Sequence, residues 1–145
     1  MLKSHLLHPE ILRALGSAGH GARVLVADGN FPFSTETPAS ATRVFLNLRR
    51  GMVSVTDVLE VLVPSIPIES ALLMEPADGQ VVPLHAAFKT LLPAEAAIAS
   101  RKRLDFYAEA KSPATTLVIA TGEERRFANV LLTIGVVSAE SREAS

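Results

Sequence analysis

The sequence contains no cysteine and no tryptophan, and tyrosine occurs once among 145 residues. Without thiols there is neither a disulfide framework nor a thiolate metal site, and nothing points to an oxidising compartment. Charge of one sign is also missing. Fourteen Lys and Arg against fifteen Asp and Glu leave a formal net charge of −1, so no broad positive field exists to attract a phosphate backbone. Nucleic acid is therefore not an expected partner. No apolar run approaches the roughly 20 residues needed to span a bilayer, and the opening MLKSHLLHPE is too interrupted for a signal peptide. The expectation is a cytoplasmic protein with no membrane contact. The phosphate-cradling P-loop, the dinucleotide fingerprint, the nucleophile elbow and the HExxH zinc motif are all absent, which closes the common cofactor routes.

What remains is rich in Ala, Val and Leu. Hydrophobic residues make up 48% and charged residues 20% of the chain, a globular composition, and its length suits a single domain over residues 1–145. Mean hydropathy is +0.30. Surplus apolar surface of that kind fits an interface between subunits, or else a very apolar core.

Pro9 opens the segment EILRALGSAG, a helix with proline in its first turn and a glycine stop at Gly16 or Gly19. Residues 22–27 form an aliphatic run closed by Asp28-Gly29, a buried strand ending in a turn. A loop at 31–41 precedes a second strand at about Thr42 to Leu48. Ser54 and Asp57 make a capping box before a helix that Pro64 ends, and a third strand runs from about Ser70 to Met74. Residues 83–100 have helical spacing, kinked or split into two helices at Pro93. Then follow a helix from Leu104 to Lys111, a strand from Thr116 to Ala120, a polar turn over 121–126 and a final strand from Asn129 to Val137; the tail SAESREAS is expected to fray. Strands alternating with helices specify an α/β fold with a mixed, largely buried β-sheet and flanking helices.

Several positions carry candidate chemistry. His20 lies between Gly19 and Gly21, which leave its ring accessible, and histidine can give or take a proton near neutral pH. A helix cap followed by an ordinary loop histidine explains the same tripeptide. Asp28 falls at the carboxyl end of a strand, where open α/β sheets bind ligands, although Asp before Gly also forms plain turns. The segment Phe127-Ala128-Asn129 leads from the turn at 121–126 into the last strand, and its amides could grip hydroxyls, although a plain turn with the charge run Glu123-Glu124-Arg125-Arg126 explains the same region. Arg103 begins the helix that contains Tyr107, within a basic cluster that equally well forms a solvated face. His5 and His8 have a spacing metals use but lack a third ligand, and His85 reads as structural.

Taken in order, His8-Pro9-Glu10-Ile11-Leu12, Gly19-His20-Gly21, Ala27-Asp28-Gly29-Asn30-Phe31-Pro32, Thr121-Gly122-Glu123 through Asn129, and Gly135-Val136-Val137 resemble the fucose mutarotase and ribose pyranase family (RbsD/FucU). The order and spacing match across nearly the whole chain, and Asn-Phe-Pro ending at Pro32 looks more like the fucose branch. The resemblance implies a homo-oligomeric ring, an octamer or decamer, that equilibrates forms of a free monosaccharide without a cofactor. It implies an isomerase acting on L-fucose or a related aldose, with ribose pyranose–furanose exchange, or sugar binding without catalysis, as alternatives. By motif position His20 corresponds to the catalytic acid/base, and Asp28, Arg103, Phe127, Ala128 and Asn129 to sugar-binding positions. One departure stands out: the family usually has tyrosine where this chain has Phe127, which leaves Tyr107 as the one phenol. A straight strand between His20 and Asp28 would hold them roughly 17 Å apart. Either the glycine loop folds back along the sheet, or a neighbouring subunit completes the site.

Overall fold

In a computed structural model, which describes residues 1–142, a six-stranded mixed sheet in the order β2-β5-β1-β6-β3-β4 forms the centre of the chain. Its strands are β1 (Arg23–Ala27), β2 (Thr42–Phe45), β3 (Ile68–Glu75), β4 (Ala97–Lys102), β5 (Thr115–Ala120) and β6 (Val130–Ile134). β6 runs antiparallel to both of its neighbours, β1 and β3, while the other pairs are parallel. Five strands therefore end at one edge of the sheet, the edge where β6 begins. Everything that follows β1, β2, β3, β4 and β5 in sequence is delivered there.

Side chains alternate across each strand, so the sheet has two buried faces. Val24, Val26, Leu117, Ile119, Val130 and Leu132 pack beneath the helices α1 (Pro9–Ser17), α2 (Val55–Leu62) and α3 (Leu84–Leu91). Leu25, Ala27, Val118 and Leu131 face the opposite way, against Phe31 and the Phe106 and Ala110 side chains of α4 (Arg103–Ala110). Burial on both faces explains the unbroken aliphatic runs of β1 and β5.

Local signals set most of the boundaries. Pro9 occupies the first turn of α1, and the His8 side chain caps it, Nδ1 accepting from the Ile11 N–H at 3.4 Å. The capping box of α2 is complete: Asp57 N donates to Ser54 Oγ at 3.1 Å, and Ser54 N donates to Asp57 Oδ2 at 2.9 Å. Pro64 then stands in a 3-10 turn over Val63–Ser65. The reading of 83–100 as helical, kinked or split at Pro93, needs correction. α3 stops at Leu91, before Pro93, and after a turn the chain forms the edge strand β4, paired in parallel with β3. β2 is shorter than expected, ending at Phe45, and the last strand is confined to Val130–Ile134. Of the tail, Ala139–Arg142 form a 3-10 turn, and residues 143–145 lie outside the described part of the chain. No helix among the described residues is long and apolar enough to cross a membrane.

Candidate functional site

Asp28 extends β1 by one residue and is only 4% exposed. The antiparallel register that sets Val26 opposite Val130 brings Asn129 alongside it. The two residues lock reciprocally: Asp28 N donates to Asn129 Oδ1 at 2.8 Å, and Asn129 Nδ2 donates to Asp28 Oδ2 at 3.1 Å. The Asn30 N–H donates to the other carboxylate oxygen, Oδ1, at 3.0 Å. The carboxylate is thus held by donors on both oxygens, and its lone pairs are the acceptors the site can offer a ligand hydroxyl. Burial pushes the Asp28 carboxyl above its ordinary range, while hydrogen bonds from the backbone of Asn30, the backbone of Ala128 and the Asn129 side chain pull it back down.

The turn after β5 backs this carboxylate. Thr121 Oγ1 donates to Ala27 O at 2.7 Å, and Gly29 N donates to Glu123 O at 2.8 Å. Glu123 is itself buried. Its Oε2 accepts from Val55 N at the start of α2, and the Arg125 guanidinium grips both carboxylate oxygens at 2.8 Å. The arginine holds the Glu123 carboxyl below its ordinary range against the opposing effect of burial. Gly122 passes so close to the carbonyl oxygens of Met52 and Arg49 that a β-carbon there would collide with backbone.

Across the second core cluster, Phe31 makes an edge-on contact with Tyr107 at 5.3 Å and with Phe106 at 6.3 Å. Tyr107 is half-buried, and burial raises its phenol above the usual value; the Arg103 charge lowers it, and the Asp28 and Glu36 charges raise it. The one phenol of the chain is therefore within electrostatic reach of both Asp28 and Arg103. Arg103 and Phe127 line an open cavity of 780 Å³ with Glu75, Asp78, Lys102 and Arg126. Phe127 has a left-handed backbone, φ 58°, and the Arg126 guanidinium lies 5.4 Å from its ring centroid. Ala128 is fully buried beside it. The fold thus collects Asp28, Arg103, Phe127, Ala128 and Asn129 at one edge of the sheet.

His20 is not among them. It precedes β1, at the opposite edge, where Gly21 N donates to Ile134 O at the end of β6. The glycine loop does not fold back along the sheet. Instead His20 Nε2 lies 3.0 Å from Glu69 Oε2 at the start of β3, with 60% of the His20 side chain and 47% of the Glu69 side chain exposed. A carboxylate can only accept, so Nε2 carries the proton in this pair, which leaves Nδ1 as the nitrogen that can exchange a proton with a ligand.

The sequence does not single out Glu69, and His85, expected to be structural, has its Nε2 2.9 Å from Phe127 O. No local pattern marks either. Each partner is 42 or more residues away and is brought close only by sheet register and helix packing. Among the described residues no group of three or more His, Cys, Asp or Glu side chains is placed to hold a metal ion.

Comparison with known proteins agrees with this architecture. The chain is 30% identical to the fucose mutarotase of Homo sapiens, over 92% of this chain and 91% of that one. It is 31% identical to the D-ribose pyranase of Variovorax paradoxus, over 94% and 98%. The crystal structure of FucU from Bifidobacterium longum superposes with a TM-score of 0.76 at 31% identity, covering 90% of this chain and 95% of that one. The sequence model of the RbsD / FucU transport protein family matches residues 1–137, and the chain therefore belongs to that family.

Proposed function

We propose that this protein interconverts forms of a free aldose by opening and reclosing the sugar ring, at a site built on Asp28 and completed by His20 of a neighbouring copy. The observation that carries the reading is the buried Asp28 carboxylate, fixed by Asn129 and Asn30 yet retaining acceptor capacity, beside an aromatic wall and an arginine. A buried carboxylate oriented in this way suits sugar hydroxyls, which donate hydrogen bonds, while the C–H face of a sugar packs on an aromatic ring.

The chemistry needs little more. A base takes the proton from the anomeric O–H while an acid gives one to the ring oxygen; the bond from C1 to the ring oxygen breaks and the C1 carbonyl forms. The aldehyde rotates, and the reverse transfers close the ring on its other face or at another hydroxyl. In this reading His20 moves the protons through Nδ1, Glu69 fixes the ring by holding Nε2–H, and Asp28, Arg103 and Asn129 with the 127–128 backbone grip the remaining hydroxyls. Proton transfer on neutral oxygen atoms requires no redox cofactor. The work of the protein is orientation.

Assembly follows from the separation of His20 and Asp28 in one chain. Exposed Phe45, Leu48, Leu104, Val136 and Val137 supply apolar surface for contacts between copies and support a homo-oligomer, a ring by family resemblance. L-Fucose is the first substrate to test. D-Ribose is the second, because relatives of both names match at nearly equal identity. Saturation-transfer NMR on the two sugars, with and without protein, measures exchange among anomers and ring forms directly. Acceleration of neither, with binding detectable by calorimetry, would replace the enzyme with a sugar-binding module.

A further inference from the structure

We propose that His85 is a positioning residue for the sugar site: by holding the carbonyl of Phe127 it fixes the segment 127–129, and with it the Asn129 side chain, against Asp28. This rests on the reading of the Asp28 edge as the sugar site.

Phe127 is the one non-glycine residue with a left-handed backbone among the described residues. That conformation is disfavoured for an L-residue, so contacts must hold it there. On the ring side are the second core cluster and the Arg126 guanidinium. On the backbone side is His85, 42 residues earlier in sequence, with Nε2 at 2.9 Å from the carbonyl oxygen. A carbonyl only accepts, which fixes the proton on Nε2. The imidazole is in turn anchored, since it stacks on Phe88 with centroids 5.9 Å apart and planes at 29°, and Phe88 is wholly buried under the sheet. His85 thus ties a strained surface loop to the main core.

The consequence reaches the site through one peptide unit. In a trans peptide the C=O of residue 127 and the N–H of residue 128 point in opposite directions. The carbonyl is bound by His85, and two residues on, the same segment meets Asp28 through Asn129, whose Nδ2 donates to Asp28 Oδ2 at 3.1 Å and whose Oδ1 accepts from Asp28 N at 2.8 Å. The antiparallel register agrees, because continuing it from Val26 opposite Val130 sets Asp28 opposite Ala128. Release of the carbonyl frees that peptide plane to rotate, and Asn129, two residues after Phe127, loses its fixed approach to Asp28. His85 does not reach the substrate; it acts through the peptide.

The test pairs His85→Leu, which keeps bulk and removes the donor, with His85→Gln, which restores an N–H. The expected result for His85→Leu is a KM for L-fucose or D-ribose raised roughly tenfold, with kcat changed far less. His85→Gln is expected to recover most of the loss at a similar melting temperature. Equal loss in both variants at equal stability, or a wild-type KM in His85→Leu, would overturn the proposal. Nitrogen-15 NMR of the sugar-free wild-type protein reads the donor without any activity: His85 Nε2 should carry a proton, and an unprotonated Nε2 overturns the assignment even if the leucine variant does not fold. If the wild type accelerates neither sugar, the mutarotase reading fails, whereas the His85 tautomer and the Ala128 amide shift in His85→Gln still decide the role of this residue.

Discussion

His20 and Asp28 stand at opposite ends of β1, with its five residues between them, His20 against Glu69 at one sheet edge beyond Gly21 and Ala22 and Asp28 locked to Asn129 at the other. Five extended residues span roughly 17 Å, far beyond the reach of a proton transfer. One chain cannot bring both groups to one sugar. Subunits of His20→Ala and Asp28→Asn should each be inactive alone and should recover activity when co-assembled, because a mixed contact can join an intact His20 to an intact Asp28. Random mixing should restore roughly a quarter of the wild-type rate. An active wild-type monomer in native mass spectrometry, or inactive hybrids of demonstrated mixed composition, would remove the shared site.

Burial pushes the Asp28 carboxyl above its ordinary range. A group whose pKa is raised on folding contributes stability that is present below its unfolded value, near the ordinary range for aspartate, and is lost as pH rises through the raised value. Asp28→Asn removes that dependence. Its melting temperature relative to wild type should therefore be higher at pH 7 than at pH 4, while sugar turnover falls on the order of a hundredfold because a hydroxyl acceptor is lost. Circular dichroism melts at the two pH values check the sign. A relative melting temperature that fell from pH 4 to pH 7 would show that the hydrogen bonds to Asp28 outweigh its burial.

Glu123 shows the opposite sign. Its pKa is lowered by Arg125 and by the amides of Arg125 and Val55, so its contribution is present above the ordinary carboxyl range and disappears as pH falls through the lowered value. Glu123→Gln should cost about 2 kcal/mol at pH 7, as the loss of a charge-assisted hydrogen-bond cluster commonly does. Urea denaturation should find that difference shrinking below about pH 4. A constant difference across pH would mean that packing, not charge, holds the turn to α2.

The features legible in the sequence were those whose cause is local. Pro9 at the start of α1, Ser54 with Asp57 at the start of α2 and the aliphatic run of β1 each announce an element within a few residues. β4 was hidden because it is an edge strand with most of its side chains exposed, so AIASRK carries no buried periodicity, and its neighbours made a helix the simpler reading. The site divided in the same way. Asp28 could be placed at a strand end from the sequence, but its partner Asn129 is 101 residues away, and Glu69 reaches His20 only through the β3–β6 pairing. Register, the least local property of a sheet, decided which polar groups met.

Phe127 leaves the site without the phenol usual at that position in the resembled family, and Tyr107 is the one phenol of the chain, packed on Phe31 and sensing the Asp28 and Arg103 charges. Burial keeps its hydroxyl protonated beyond the usual tyrosine range, so it can donate a hydrogen bond throughout neutral pH. If Tyr107 serves as the missing donor, Tyr107→Phe should lower kcat by roughly tenfold or more, with little change in melting temperature. The shape of the pH–rate profile between pH 5 and 9 should be the same with and without the hydroxyl, because that group does not titrate there. Adding Phe127→Tyr to Tyr107→Phe returns a phenol to the cavity wall beside Arg126 and should restore part of the loss. Full activity in Tyr107→Phe, measured by saturation transfer, would leave proton transfer to His20 and Glu69 alone and make the phenol dispensable.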